Sequence, residues 1–294
     1  MTGTPSTEAS VRDVLAAAAA RLAEAGVTDP QVDAELLLAH VRGQSRGALQ
    51  VAVMTGAVLA PEEARAFDAA VARRAAREPL QHITGVAYFR HLELAVGPGV
   101  FVPRPETEGV VQFGIDALRA AAAAEPIGVD LGSGSGAIAL AMATEVPHAR
   151  VFAAENSPEA FPWTRRNVEA SGADNLRLDF VDLADAFPEL DGTADVVVSN
   201  PPYVPDDAIP RDPEVRLHDP HAALYGGPDG LDVVRVLSRT AHRLLRPGGL
   251  LVIEHGELQG AAIRDILTVD GWRGAATHRD LTLRDRTTTA LRAQ

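Results

Sequence analysis

Apolar residues recur at helical spacing over residues 7–80. "TEASVRDVLAAAAARLAEAG" opens on capping candidates and stops at Gly26, a residue suited to a helix C-terminus. Asp29 to Gly43 predicts a second helix, with Asp29 as N-cap, Pro30 in the first helical position and Gly43 past the end. Its residues Val32, Leu36, Leu37 and Val41 fall on one face. Ala60 to Glu78 predicts a third helix, with Pro61, Glu62 and Glu63 in its first turn. The texture then changes. "GVAYFRHLELAV" is rich in β-formers and "GPG" punctuates it, which predicts a hairpin or extended linker. From residue 109 helical and strand patterns alternate. Strands are expected at "IGVDLG", "RVFAAE", "LRLDFVD", "DVVVS" and "GLLVIEHG", with a closing hairpin in the tail. The helix from Ser157 has that serine as its expected N-cap. Strands separated by helices predict a doubly wound α/β sheet. The expected organisation is a helical domain (1–80), a hairpin linker (81–108) and a Rossmann-like α/β domain (109–294).

Composition narrows the chemistry. The chain has 294 residues, 46% of them hydrophobic, which suits a globular protein with a sizeable core. A net charge of −13 disfavours broad, salt-dependent binding to nucleic-acid phosphates. Cysteine is absent, which excludes disulfides, thiolate metal sites and a cysteine nucleophile. All 27 basic residues are arginine, which excludes a Schiff-base lysine and the lysine of a P-loop. "LAAAAARLAEAG" is interrupted by Arg21 and Glu24, so it is an amphipathic helix and not a signal peptide. No run of about 18 apolar residues exists. A cytoplasmic protein with no membrane contact is the expectation.

"VDLGSGSGAIALAMA" is a strand, a glycine-rich turn and a helix. Gly132, Gly134 and Gly136, with Ser133 and Ser135 between them, permit a tight turn and close backbone approach to a ligand at the carboxyl end of a strand. The spacing Gly132-x-Gly134-x-x-Ala137 also satisfies the dinucleotide fingerprint, so it separates neither NAD from a nucleoside ligand nor either from a bare turn. Glu155 ends the next strand, where a carboxylate can accept both hydroxyls of a ribose. Asp182 and Leu183 follow a third strand as candidates for an adenine amine and ring, among acids (Asp185, Glu189, Asp191) that also suit a solvated loop.

"SNPPY" discriminates further. Pro201 and Pro202 cannot continue a central strand, so they end it and stiffen the residues beyond. The Asn200 side-chain oxygen and the Pro201 carbonyl are candidates for two fixed acceptors, which would hold the two N–H groups of a planar NH2. Tyr203 is placed to stack on that planar group. Such a site works by positioning and electrostatics, without a nucleophilic side chain. His218 and His221 lie in a loop without a third ligand at clear spacing and are read as structural or surface groups, not metal ligands. Arg104 is expected either to shape the substrate mouth or to pair with Glu106 or Glu108.

The glycine turn, the strand-end acid and NPPY together resemble class I S-adenosylmethionine-dependent methyltransferases that act on planar NH2 nitrogens. The wider pattern is more specific. "PLQHITG", "FVPRPETE", "DLGSGSGAIALA", "SNPPYV", "DPHAALYGGPDGLDVVR" and "IEHGELQG" occur in that order over most of the chain. They closely resemble the peptide chain release factor glutamine methyltransferase (HemK/PrmC) family. A sister family that modifies a ribosomal-protein glutamine shares NPPY but usually lacks the "PRPETE" form. The resemblance implies methylation of the amide nitrogen (N5) of the glutamine in the Gly-Gly-Gln tripeptide of bacterial class 1 release factors. It implies that Gly132 to Gly136, Glu155 and Asn200 contact S-adenosylmethionine, and that Asn200, Pro201, Pro202 and Tyr203 hold the glutamine. The strand-end acid is Glu155 where many members have Asp, and Leu183 stands where some carry an aromatic. The competing readings are an adenine N6-methyltransferase, a ribosomal-protein glutamine methyltransferase, a non-catalytic donor-binding module and an NAD oxidoreductase. The acidic charge disfavours a nucleic-acid substrate and suits a basic protein.

Overall fold

The computed structural model describes residues 10–294, and the chain divides into two compact units. The first takes in the chain up to Gly85 together with Arg211–His218. Its helices are α1 (Val11–Glu24), α2 (Pro30–Val41), α3 (Arg46–Met54), α4 (Pro61–Ala75), α5 (Leu80–Thr84) and α9 (Pro213–His218). Ser10 caps α1, its Oγ accepting the Asp13 N–H at 3.2 Å. The capping candidates at 7–9 lie outside the described residues. Asp29 stands at the N-cap of α2 but makes no side-chain cap bond, and Pro30 at N1 starts that helix. The buried stripe of α2 is Asp33, Ala34, Leu37, Leu38 and Ala39, so of the predicted face Leu37 is fully buried and Val32, Leu36 and Val41 are half-buried. The cause is position: α2 packs against α1, α3, α4 and α5, so it buries more than one side.

Asp33 tolerates burial because Arg74 Nε donates to it at 2.6 Å. Arg74 also meets Glu214 at 2.7 Å, and Arg77 meets the other oxygen of Glu214 at 2.6 Å. Two cations and two anions thus tie 211–218 into the helical unit, although composition alone assigns that segment to the later domain. Burial works against ionisation of Glu214, but its side-chain interaction with Asp212 and the hydrogen bonds donated by Arg77 and Arg74 outweigh it and hold the carboxyl down at about 2.

The second unit comprises Val86–Pro210 and Asp219–Gln294. It opens with the expected hairpin, β1 (Val86–Phe89) and β2 (Leu92–Ala95). Next come α6 (Pro105–Ala120), β3 (Ile127–Leu131), α7 (Ala137–Glu145), β4 (Arg150–Glu155), α8 (Phe161–Ser171), β5 (Leu176–Phe180) and β6 (Ala194–Ser199). The chain closes with α10 (His221–Leu224), α11 (Asp232–Leu244), β7 (Leu245–Glu254), α12 (Gly260–Val269), β8 (Arg273–Arg279) and β9 (Asp285–Leu291). The sheet order is β5-β4-β3-β6-β7-β9-β8. The first five strands are parallel, and β9 runs antiparallel to both β7 and β8. This is the doubly wound α/β fold expected, with the tail hairpin closing one edge. Along β6, Val196 and Val198 enter the core shared with α6 and α7, whereas Val197 enters the core shared with α11 and α12. Burying such a side chain contributes roughly 1.5–3 kcal/mol, so β6 is locked in register from both faces.

Two boundaries differ from expectation in ways that matter for the site. The first long helix of this unit starts at Pro105, so Thr107 belongs to its first turn and not to a linker. Helix α8 starts at Phe161, and Ser157 caps the turn before it, accepting the Ala160 N–H at 3.1 Å.

Candidate active site

Sheet order reverses between β3 and β6: β4 and β5 extend to one side, β7 to the other. In open α/β sheets this switch point opens a crevice at the carboxyl ends of the strands. The glycine turn leaves β3 on one side of it and NPPY leaves β6 on the other. Ser199 Oγ joins the two strand ends by donating to the Leu131 carbonyl at 2.6 Å.

Gly132, Gly134 and Gly136 all have positive φ, at 81°, 55° and 84°. A side chain would be strained at each. A Cβ added at Gly132 or Gly134 would meet no atom within 4 Å, so the space above the turn is a cradle that side chains would fill. The turn is held from beneath. Gly132 and Ser133 N–H groups donate to the Ala154 carbonyl at 2.9 and 3.0 Å. From α8, Thr164 Oγ1 donates to the Gly134 carbonyl at 2.5 Å and Asn167 Nδ2 to that of Ser135 at 2.9 Å. Asn167 also grips Ala95 of β2 through its backbone N–H and carbonyl, tying the hairpin to the turn.

Two acids flank this turn and a third follows β5. Asp130, in β3, is fully buried; its Oδ2 accepts the Ala139 N–H at 3.1 Å, while its Oδ1 has no protein partner among the described residues. Burial raises its pKa to about 7 against the lowering influence of the Ala139 N–H. Sequence reasoning did not single this residue out. Glu155 sits at the end of β4 as predicted, and its two oxygens accept N–H groups from Gly134 at 2.6 Å and Ser157 at 2.8 Å. Each oxygen keeps lone-pair capacity for a further donor. Asp182 accepts from Asn156 Nδ2 at 2.7 Å and from the Ala184 N–H at 2.9 Å, and Leu183 packs at the border of the β6–α11–α12 core.

Asn200 is partly buried, and its Nδ2 lies 3.5 Å from Thr107 Oγ1, at the limit of a hydrogen bond. Thr107 Oγ1 in turn donates to Glu254 Oε2 at 2.6 Å. Three of the quoted segments, "PRPETE", "SNPPY" and "IEHG", therefore converge on one point. Glu254 is 2% exposed, and burial pushes its carboxyl up to about 7, opposed by the Thr107 hydroxyl, by Arg286 and by the Asn200 amide. Thr107 and Glu254 are functional candidates that sequence reasoning missed. Among the described residues, no protein group donates to Asn200 Oδ1 or to the Pro201 carbonyl. Tyr203 is half-buried, with its hydroxyl raised to about 12 chiefly by burial, so it is neutral at working pH.

The backbone after NPPY is clamped by glycines. Gly226 N–H donates to the Val204 carbonyl at 3.0 Å, and Val204 N–H to that of Leu224 at 2.8 Å. A Cβ on Gly226 would stand 2.5 Å from the Pro202 carbonyl, and one on Gly230 2.2 Å from the Tyr203 carbonyl. Gln259 Nε2 donates to the same Tyr203 carbonyl at 2.8 Å. "YGGPDG" and "IEHGELQG" are thus the mould in which NPPY is set.

Arg104 departs from both expected pairings: it binds Asp219 at 2.7 Å and lies over the Phe101 ring. His221 stacks on Tyr225 at 4.3 Å between centroids. Among the described residues no group of three or more His, Cys, Asp or Glu side chains is placed to hold a metal ion, and no helix is long and apolar enough to cross a membrane.

Residues 13–85 match the family described as the PrmC N-terminal domain, and residues 93–213 match the methyltransferase small domain. A release factor glutamine methyltransferase from Streptomyces coelicolor is 56% identical over 281 residues, covering 95% of this chain and 97% of that protein. A 4-amino-L-phenylalanine/4-methylamino-L-phenylalanine methyltransferase from Streptomyces pristinaespiralis is 41% identical over 266 residues, 88% of each chain. Among solved structures, a methyltransferase from Pyrococcus furiosus shares the fold, with a TM-score of 0.50 at 20% identity over 70% of this chain and 91% of that one.

Proposed function

The chain belongs to the release factor glutamine methyltransferase family, and from that premise we propose that it methylates the side-chain amide nitrogen (N5) of the glutamine in the Gly-Gly-Gln tripeptide of class 1 release factors, using S-adenosylmethionine. The observation that carries this is the pair of unengaged acceptors, Asn200 Oδ1 and the Pro201 carbonyl, across the switch point from the glycine cradle.

The residues present fit the donor. The open cradle over Gly132 and Gly134 admits its backbone-hugging part, the unpartnered Asp130 Oδ1 suits its ammonium group, and Glu155 retains lone pairs for the ribose hydroxyls. Asp182 and Leu183 would take the adenine amine and ring. When bound, the donor supplies a methyl group already made electrophilic by its sulfonium.

An amide nitrogen is a poor nucleophile because its lone pair is delocalised. Asn200 and Pro201 accept its two N–H groups and aim the nitrogen along the line of displacement, and Tyr203 lies against the planar amide. With the donor bound, methyl transfer to the nitrogen held by Asn200 and Pro201 would exchange the donor's S–C bond for an N–C bond and release the surplus proton to water. No basic side chain is required before transfer. Removing the Asn200 acceptor by Asn200→Ala is expected to lower turnover on release factor roughly 10²–10³-fold, the loss typical of one preorganised polar contact. Near-normal turnover by that variant would sink this mechanism.

The Streptomyces pristinaespiralis relative, named for an aryl amine, favours one second reading: a planar NH2 on a small molecule. Equal competition between 4-amino-L-phenylalanine and release factor for labelled donor would support it, and exclusive labelling of release factor excludes it. The net charge of −13 supports a basic protein partner met by electrostatic steering.

A further inference from the structure

We propose that Glu254 is a positioning residue: through Thr107 it fixes which end of the Asn200 carboxamide faces the substrate nitrogen. This role rests on the amide-methylating function proposed above and adds the device that makes Asn200 an acceptor there.

An asparagine carboxamide is nearly symmetric in shape, and a half-turn exchanges its oxygen and NH2. Only one orientation serves the reaction. With Oδ1 outward, Asn200 accepts a substrate N–H; with NH2 outward, two donors oppose each other. Something must break the symmetry.

Hydrogen-bond polarity does so. Ionised Glu254 is acceptor-only. Thr107 must therefore give its single hydroxyl proton to Glu254, across 2.6 Å. That leaves only lone pairs on Thr107 Oγ1 to meet Asn200, at 3.5 Å. Both inner neighbours of the Asn200 side chain are then acceptors, and its NH2 must point inward to them. Protonation of Glu254 reverses the relay. A neutral carboxyl can donate to Thr107 Oγ1, the threonine proton is freed for Asn200 Oδ1, and the carboxamide can turn its NH2 to the substrate.

The charges around Glu254 come from several elements. Arg286 on β9 favours the ionised form, and Glu106 on α6 opposes it. Tyr203 stays neutral far above working pH. His255, next in the chain, is buried and held below its ordinary pKa chiefly by that burial, so it is neutral; it bonds Gly256 and Thr288. Burial of Glu254 places its own titration at about 7, within the range where turnover is measured.

The test is the pH profile of kcat on release factor, with wild type, Glu254→Gln, Thr107→Val and Thr107→Ser. Wild-type kcat is expected to fall on the acid side with a midpoint near pH 7. Glu254→Gln, which is neutral and can bond either way round, loses that acid limb and roughly 10–100-fold in kcat, while donor affinity by calorimetry changes far less than kcat. Thr107→Val loses the limb likewise, and Thr107→Ser recovers most of the rate. An unchanged kcat and acid limb in Glu254→Gln overturns the proposal. So does a Thr107→Ser variant as slow as Thr107→Val, and this pair decides the matter if Glu254→Gln does not fold. Wild type that leaves the release factor glutamine unmodified overturns the function itself; wild type that modifies it, with indifferent variants, overturns only the role of Glu254.

Discussion

Gly230 has the tightest contact with the proposed substrate loop, and Gly230→Ala is the sharpest perturbation of it. The added Cβ would stand 2.2 Å from the Tyr203 carbonyl oxygen, 2.9 Å from Gln259 Nε2 and 3.0 Å from the Pro205 nitrogen. Real Cβ contacts essentially never fall below 3.0 Å. Opening the first contact to that value demands a shift of about 0.8 Å, the difference between 3.0 and 2.2 Å. Two of the obstructing atoms are backbone, so no side-chain rotation relieves them. Gly230 also has φ of 74°, which costs an alanine roughly 1–2 kcal/mol in addition. The displacement falls on Tyr203 and, through two rigid prolines, on Asn200. A misplacement of about 1 Å at a reacting group costs on the order of 10²-fold in rate. Steady-state methylation of release factor by Gly230→Ala is therefore expected to drop by about that factor in kcat. Donor binding, measured by calorimetry, weakens far less, because the glycine cradle and Glu155 are on other strand ends and only the Asn200 contact is disturbed. Normal kcat in a folded Gly230→Ala protein, or loss of donor binding with kcat intact, would refute the claim that this glycine moulds NPPY.

Other perturbations test other parts. Glu214→Ala leaves Arg74 and Arg77 without their shared anion and is expected to cost about 3–5 kcal/mol by urea unfolding, as breaking a buried pair does. Because Glu214 is held at about 2, its contribution is whole above its ordinary 4.5 and lost as pH falls through about 2, so the gap to wild type should close in acid. Asp130 is raised from 3.8 to about 7, so the stability it gives is whole below its ordinary value and lost as pH rises through about 7. Asp130 and Glu254 therefore both lower the stability of the donor-free protein between about pH 5 and about pH 8, and Asp130→Asn is expected to remove the Asp130 share of that drop. A melting curve for Asp130→Asn with the full wild-type pH slope would contradict this.

Local chemistry made much of the fold readable. Strand and helix periods, the prolines of NPPY and the glycines after β3 act within a few residues, so the sheet and two of its ligand-edge turns could be drawn from the chain. What could not be read depends on partners distant in sequence. Thr107 and Glu254 are 147 residues apart and look like an ordinary helix start and a strand-end acid until the sheet brings them together. Glu214 lies 137 residues from Arg77, and no local pattern marks 211–218 as part of the helical unit. The buried face of α2 was misjudged because periodicity counts apolar residues, whereas this helix also buries Asp33 against Arg74. Gly226 and Gly230 resemble loop glycines in the sequence; only the clash each would make with the NPPY backbone gives them a reason.

The central claim is that the acceptors of NPPY hold a glutamine amide of a release factor. Incubating the protein with methyl-labelled S-adenosylmethionine and a class 1 release factor, then mapping the label by tandem mass spectrometry, tests it most directly. One methyl group is expected, on the side-chain nitrogen of the Gly-Gly-Gln glutamine. Label on another residue, on nucleic acid or on 4-amino-L-phenylalanine alone would contradict it.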